Sequence, residues 1–294
     1  MILKYVNKTN KFKNIKQIAK QHFNMSERLI LKLKNKQLIF KNGNICKITD
    51  TILQNDIIEF NLEYDEFSDN IIPTYIDLKI IYEDDYMLVV DKPPFIPVHP
   101  SLNYYENSLS NGVKYYFNKI NLNKKIRPIN RLDKDTSGIV LFAKNEYIQE
   151  ALIKQMLNSN FKKKYLAILT GVLENKKGTI KAPILRKEDS IIEREINPNG
   201  QNAITNFYVL DTKNNLSLVE FTLLTGRTHQ IRVHSKYINH PILGDSLYGT
   251  KTNLINRQAL HAYKVSFIHP ITKKTIYLET ALPADIKNAF YRFI

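Results

Sequence analysis

The chain has 294 residues, 43% of them hydrophobic, which is enough for a packed core and, by length, for one large or two modest domains. No apolar stretch approaches the span of a bilayer, the first residues (MILKYVNKTNKFK) lack the apolar block of a secretory signal, and the single cysteine, Cys46, excludes an intrachain disulfide and a thiolate metal cluster. A cytoplasmic protein is expected, and 43 Lys and Arg against 28 Asp and Glu, a formal charge of +15, suit a polyanionic partner such as RNA, DNA or an anionic membrane.

The charge is not spread evenly. The first fifty residues carry twelve bases, eleven Lys and Arg28, with only Glu27 and Asp50 opposing them. Residues 51–85 then carry ten acids and one base, Lys79. That switch favours a basic module followed by an acidic connector over a uniformly Lys-rich composition.

In the basic segment Ile15, Ile18, Ala19 and Phe23 recur at helical spacing, and Ser26 is placed to cap a second helix carrying Leu29, Ile30 and Leu33. A strand is predicted over 38–40, then a turn at Asn42-Gly43, where both residues need positive φ, then Ile45 and Ile48, and a closing strand over 57–60. Cys46, in an alternating stretch, reads as a buried small apolar side chain rather than a nucleophile. Residues 63–73 are acidic and end in proline, as a linker would. A hairpin follows, with strands over 80–82 and 86–90, stopped by Asp91-Lys92-Pro93-Pro94 because proline cannot donate to a ladder. Helices are predicted over 108–120, 147–157 and 228–238, and strands over 139–143, 165–169, 218–223, 260–267 and 275–279. The interleaving predicts an α+β protein around a mixed, largely antiparallel sheet.

The densest chemistry lies in Asn130-Arg131-Leu132-Asp133-Lys134-Asp135-Thr136-Ser137-Gly138, a loop leading into the apolar run IVLFAK. Loops on rigid strands are where catalytic groups concentrate. From residue type alone Asp133 is open to four roles: nucleophile, general base, metal ligand or turn cap. Asp135, Thr136 and Ser137 could simply cap their own turn.

This segment resembles the signature of the RluA-type RNA pseudouridine synthases, and further segments match that family in the same order. They are YEDDYMLVVDKPPFIPVHP (82–100), KYLAILTG (164–171), LTGRTHQIRVH (224–234) followed by HPILGDSLYG, and the closing LHA (260–262) with FIHP. The resemblance covers about 80–294 and rests on several ordered motifs, a far stronger signal than one short pattern. The basic segment, two short helices followed by a small sheet, resembles the compact alpha-L RNA-binding fold of a ribosomal small-subunit protein, giving an expected alpha-L-like module with linker at 1–70 and a catalytic domain at 74–294. One departure is Asn130, where the family commonly has His.

The resemblance implies an isomerase that converts selected uridines of RNA to pseudouridine without a cofactor, acting on large-subunit rRNA or some tRNAs, with no metal and no membrane partner. It implies Asp133 as the catalytic carboxylate beside the anomeric carbon, by covalent trapping or by removal of a sugar proton; the sequence does not choose between these. Arg227 matches the arginine that pairs with that carboxylate, and a guanidinium suits the task by binding bidentately. Tyr165 matches the residue that stacks on the target uracil, where a phenol could also help proton transfer from ring carbon five, and Arg131 the one that fills the gap left when the base is flipped, the alternative being a plain phosphate contact. His229 and His234, five apart, would lie about 140° from one another on a helix, so they do not form a metal pair. His99, His240, His261 and His269 read as structural. Two other readings are an RNA-binding assembly factor with a retired site, and a sugar-cleaving hydrolase using Asp133 and Asp135.

Overall fold

A computed structural model describes residues 1–9, 11–66, 70–158 and 160–291. The N-terminal part comprises β1 (Ile2–Val6), α1 (Ile15–Gln17) running into a π-helical turn (Ile18–His22), α2 (Glu27–Asn35), β2 (Ile39–Lys41), β3 (Asn44–Ile45) and β4 (Ile57–Asn61). Its four strands form an antiparallel sheet in the order β1-β4-β2-β3. The Ser26 hydroxyl accepts from the Leu29 amide at the start of α2, satisfying one of the amides left open at a helix start, and Leu29, Ile30 and Leu33 form the buried stripe. Asn42 and Gly43 both take positive φ, 52° and 81°, as the β2–β3 hairpin requires. The turn before β4 uses Asn55 at φ 70°, while the Asp56 carboxylate accepts from the Leu53 amide and the Asn42 side chain.

The remainder comprises β5 (Ile80–Glu83), β6 (Met87–Lys92), α3 (Leu109–Lys119), β7 (Ser137–Ala143), α4 (Glu146–Leu157), β8 (Lys162–Thr170), β9 (Lys177–Lys181), β10 (Ile184–Arg186), β11 (Arg194–Ile196), β12 (Ile204–Lys213), β13 (Leu216–Leu223), α5 (Gln230–Tyr237), β14 (Leu260–Ile268), β15 (Thr275–Glu279) and α6 (Ala284–Tyr291). Nine of these strands make one sheet in the order β5-β6-β7-β14-β8-β13-β12-β9, with β15 paired to β14. All of its pairings are antiparallel except β7 with β14, so the mixed, largely antiparallel α+β architecture is present. Strands β10 and β11 form a separate ribbon.

The centre of the sheet is covered on both faces. Leu88, Val90, Val140 and Phe142 pack with α3 residues Leu109, Val113 and Phe117. Met87, Val89, Ile139 and Leu141 point the other way, with α4 residues Ile148 and Leu152, and share that core with Leu29, Leu33 and Phe60 of the N-terminal part. Near-continuous apolar strands are what two buried faces demand.

Within the acidic stretch expected as a linker, Glu66 is packed between the two parts. Glu66 is buried, its carboxylate accepting from Arg127 at 2.7 Å and Lys32 at 2.8 Å, while Glu146 accepts from the same two bases. Burial pushes the Glu66 carboxyl up, but the two cations outweigh it and hold it below its ordinary value. Ser26 and Glu150 add a further hydrogen bond between α2 and α4. Glu66 therefore serves as a counter-ion at the junction of the two parts, which is why it is buried while Glu63 and Asp65 stay exposed. Residues 67–69 of the expected linker lie outside the described residues.

Candidate active site

Asn130 pins the loop that leads into β7. Its side chain donates to the Ile139 carbonyl at 2.9 Å and accepts from the Leu141 amide at 3.0 Å, standing in for a missing ladder partner. At the strand's start Gly138 takes φ 120° against β14, where a Cβ would lie 2.2 Å from the Ala262 carbonyl oxygen, so only glycine permits this approach. Beneath the loop Lys92, fully buried, donates to the carbonyls of Pro93, Ile96 and Lys134 at 2.8–2.9 Å. Burial and the Arg257 charge push its pKa down to about 7. Three carbonyl acceptors call for the three donors of an ammonium, and we read it as charged.

The loop does not cap itself as its composition allowed. Thr136 accepts from Gln258, and Ser137 bonds His261, so the hydroxyls tie the loop to β14 and the segment before it. Arg257, just before β14, reaches the Asp135 carbonyl at 3.1 Å and pairs with Asp285 of α6. Asp133 is left facing the cleft, about a quarter exposed.

The guanidinium beside Asp133 is Arg232, not Arg227. Arg232 Nη1 donates to Asp133 Oδ2 at 3.2 Å, while Nε and Nη2 grip Asp245 at 2.7 and 2.8 Å. Asp245 has no exposure and also accepts from the amides of Leu247 and Tyr248. Burial opposes charge on both partners, but each outweighs it for the other, holding the Arg232 pKa above and the Asp245 pKa below ordinary values. Arg227 is exposed, and its Nε bonds the Asn202 carbonyl at 3.1 Å. The reason is the turn before α5. Gln230 accepts from the Arg227 amide and the Thr225 hydroxyl and donates to Ile204 and Thr205, which fixes 225–230 against β12. Arg227 is thereby left at the rim, and the first turn of α5 carries Arg232 inward.

The other expected residues converge on the same place. Tyr165, on β8, is buried, and burial with the Asp133 charge pushes its phenol pKa well up, so it stays protonated. Arg131 is exposed beside the opening with no ion-pair partner among the described residues. Together with Leu132, Leu223, Arg227 and His229 these side chains line a pocket of about 60 Å³ that opens into a cleft of about 700 Å³ walled by residues 97–101. The cleft falls in the range of small-molecule sites.

Residue-type reasoning missed Arg232, Asp245, His229, Tyr248 and Lys92 as site residues. The signal available for Arg232 was a second arginine within the same LTGRTHQIRVH segment. His229 takes φ 57° ahead of α5, bonds the Tyr248 hydroxyl through Nδ1 at 2.8 Å and places Nε2 3.8 Å from Asp133 Oδ1. Of the histidines read as structural, His240 bonds the Thr170 carbonyl, His261 bridges Ser137 and Thr280, and His269 meets Asp84, whereas His99 is exposed on the cleft wall. His234 is buried on Thr205 and Ala182, away from His229's partners. Cys46 is half-buried with its thiol pushed up to about 11 by burial, which suits packing and not nucleophilic attack. Among the described residues no group of three His, Cys, Asp or Glu side chains is placed to hold a metal ion.

Residues 86–237 match the family model described as RNA pseudouridylate synthase. A Bacillus subtilis (strain 168) protein named Uncharacterized RNA pseudouridine synthase YhcT is 43% identical over 239 residues, 81% of this chain and 79% of that one. The Ribosomal large subunit pseudouridine synthase D of Zymomonas mobilis is 35% identical, covering 74% of this chain and 73% of its own. Among solved structures, Human RNA Pseudouridylate Synthase Domain Containing 1 superposes with a TM-score of 0.59 at 26% identity, over 70% of this chain and 83% of that one. The chain therefore belongs to the RNA pseudouridylate synthase family and is an isomerase that forms pseudouridine in RNA.

Proposed function

We propose that Asp133 is the carboxylate that meets the anomeric carbon of the target nucleotide, and that the target lies in large-subunit rRNA. The observation that carries the first part is the placement of Asp133 at the cleft floor, held by a buried Arg232–Asp245 pair. Pseudouridine formation breaks the bond between uracil N1 and C1′, turns the base, joins C5 to C1′, and exchanges the C5 hydrogen for one on nitrogen. A carboxylate beside C1′ can bond to it, stabilise positive charge there or take a sugar proton, and the detached base must be kept from water meanwhile. The small inner pocket under Tyr165 suits that containment. A phenol that resists ionisation acts as a stacking face and hydrogen-bond donor, so Tyr165 supports the flipped uracil rather than serving as a phenolate base.

Arg131 and Arg227, both exposed beside the opening, are the groups for the RNA around the flipped nucleotide. Arg131 would enter the vacated stack, and Arg227 would meet a phosphate. The rRNA assignment rests on the printed name of the relative from Zymomonas mobilis. Residues 1–70 we assign as an RNA-gripping module ahead of the catalytic part at 74–294, because its bases Lys13, Lys34, Lys36 and Lys47 are exposed. Among the described residues no helix is long and apolar enough to cross a membrane, and the excess of Lys and Arg fits an RNA partner instead.

Mapping pseudouridines across total RNA from cells with and without the gene tests this reading. Loss of one or a few sites in large-subunit rRNA is expected. Loss only in tRNA would overturn the substrate, and no loss, with redundant synthases removed, would leave an RNA-binding factor with a silent site.

A further inference from the structure

The two oxygens of Asp133 have different neighbours. Arg232 holds Oδ2, whereas Oδ1 has no hydrogen bond among the described residues and lies 3.8 Å from His229 Nε2, too far for one at rest but close enough after a small shift. His229 also takes a positive φ, 57°, in the turn that leads into α5, a left-handed backbone uncommon for residues other than glycine. Backbone strain of that kind persists where the surroundings over-determine it.

What fixes the ring is Tyr248, itself almost fully buried. Its hydroxyl accepts from the Arg194 amide at 2.8 Å and lies 2.8 Å from His229 Nδ1. A phenol has one proton to give. If Nδ1 carried a proton as well, the hydroxyl would receive two donors and its own proton would have no acceptor in a buried site, a cost comparable to a lost hydrogen bond. The arrangement that pairs every donor puts the phenol proton on Nδ1, and the imidazole proton is then on Nε2, aimed at Asp133.

We propose that Tyr248 and His229 are a positioning pair: Tyr248 locks His229 in the neutral Nε2–H tautomer, and that N–H engages Asp133 Oδ1 when substrate closes the site, setting which carboxylate oxygen meets the sugar. This rests on Asp133 being the reacting carboxylate. The charged and titratable groups around His229 are Asp133, Arg232, Arg194, Asp245 and Tyr248. Burial first, then Arg232 and Arg194, lower its pKa against the opposite pull of Asp133 and Asp245, so the ring stays neutral. A proton relay through Tyr248 is disfavoured because burial pushes that phenol up to about 12.

The test uses side-chain reach against backbone preference. In His229→Gln the amide nitrogen occupies the same position along the side chain as Nε2 and still donates, although Gln is poorly suited to the left-handed backbone. In His229→Asn the amide stops at the Nδ1 position, although Asn suits that backbone better. Turnover of His229→Gln is expected within about fivefold of the parent, that of His229→Asn and His229→Ala down by roughly 30- to 100-fold, with KM for RNA nearly unchanged. A role in folding alone would favour Asn over Gln. Equal loss in Gln, Asn and Ala would overturn the proposal by making His229 a proton carrier, and full activity in all three would overturn it by removing any role. Independently of turnover, nitrogen-15 spectra of the histidine rings in the full-length parent at neutral pH should show His229 protonated on Nε2 alone, with mixed tautomers in Tyr248→Phe. An Nδ1–H or doubly protonated ring in the parent would overturn it even if Asp133→Asn proves inactive as expected.

Discussion

Replacing Arg232 by Lys separates the two arginines that the segment LTGRTHQIRVH offers. Arg232 spans two carboxylates through three nitrogens, two on Asp245 and one on Asp133. A lysine ammonium is a single point and cannot bridge both. Asp245 is fully buried and Asp133 is not, so the ammonium goes to Asp245, where an unpaired charge would cost more. Asp133 then loses a charge-assisted hydrogen bond at 3.2 Å, worth about 1.5–3 kcal/mol. If that bond holds the carboxylate for the reaction, turnover falls by roughly 10- to 160-fold. Stability should fall less, because Asp245 keeps a cation and its two backbone donors. Arg227→Lys should leave turnover within about threefold and act on KM instead, since its guanidinium meets no carboxylate among the described residues. Single-turnover kinetics on one RNA with both variants decide the matter. A larger loss of turnover in Arg227→Lys than in Arg232→Lys would refute the assignment.

Three further outcomes follow from the same geometry. Arg127→Met leaves Glu66 buried with Lys32 as its remaining cation and should cost about 1.5–3 kcal/mol in urea unfolding, and a loss under 1 kcal/mol would mean the junction is solvated. His261 is held neutral between Ser137 and Thr280, its pKa lowered to about 4, chiefly by burial. A folded value below the ordinary 6.5 means the unfolded chain binds the extra proton first, so this contribution is present above pH 6.5 and is lost as pH falls from 6.5 through 4, up to about 3 kcal/mol. His261→Gln should show a flatter stability profile over that range, and an unchanged slope would contradict it. Changing Lys34, Lys36 and Lys47 together to Gln should weaken RNA binding and make its logarithmic salt dependence shallower, while an unchanged slope would make that face a structural cap.

Elements with a one-sided or fully apolar pattern were legible from residue order. Helix α2 has its stripe and cap, and β6 and β7 are apolar runs bounded by polar turns. Strands β9 and β12 were not, because they close one end of the sheet half-exposed, and only Thr205 of β12 is buried. Helix α6 was passed over although Ile286, Ala289 and Phe290 are spaced for one buried face. Asp133, Tyr165 and Arg131 were placed from their motifs. Arg232 was not, because choosing between two arginines five residues apart depends on how the Gln230 side chain anchors the turn before α5. The same holds for Asp245 and Tyr248, which act only through side chains that the fold brings to them. Asn130, where the family commonly has His, closes two backbone positions on β7 with its amide, a use of that side chain that only the fold reveals.

The most direct test of the central claim incubates the purified protein and its Asp133→Asn variant with unmodified large-subunit rRNA, followed by chemical mapping of pseudouridine and assay of free uracil. The account expects conversion at one or a few uridines by the parent, no free base, and no conversion by Asp133→Asn, which still folds and binds RNA. Conversion by the variant at the parent's rate, or release of uracil by the parent, would contradict it.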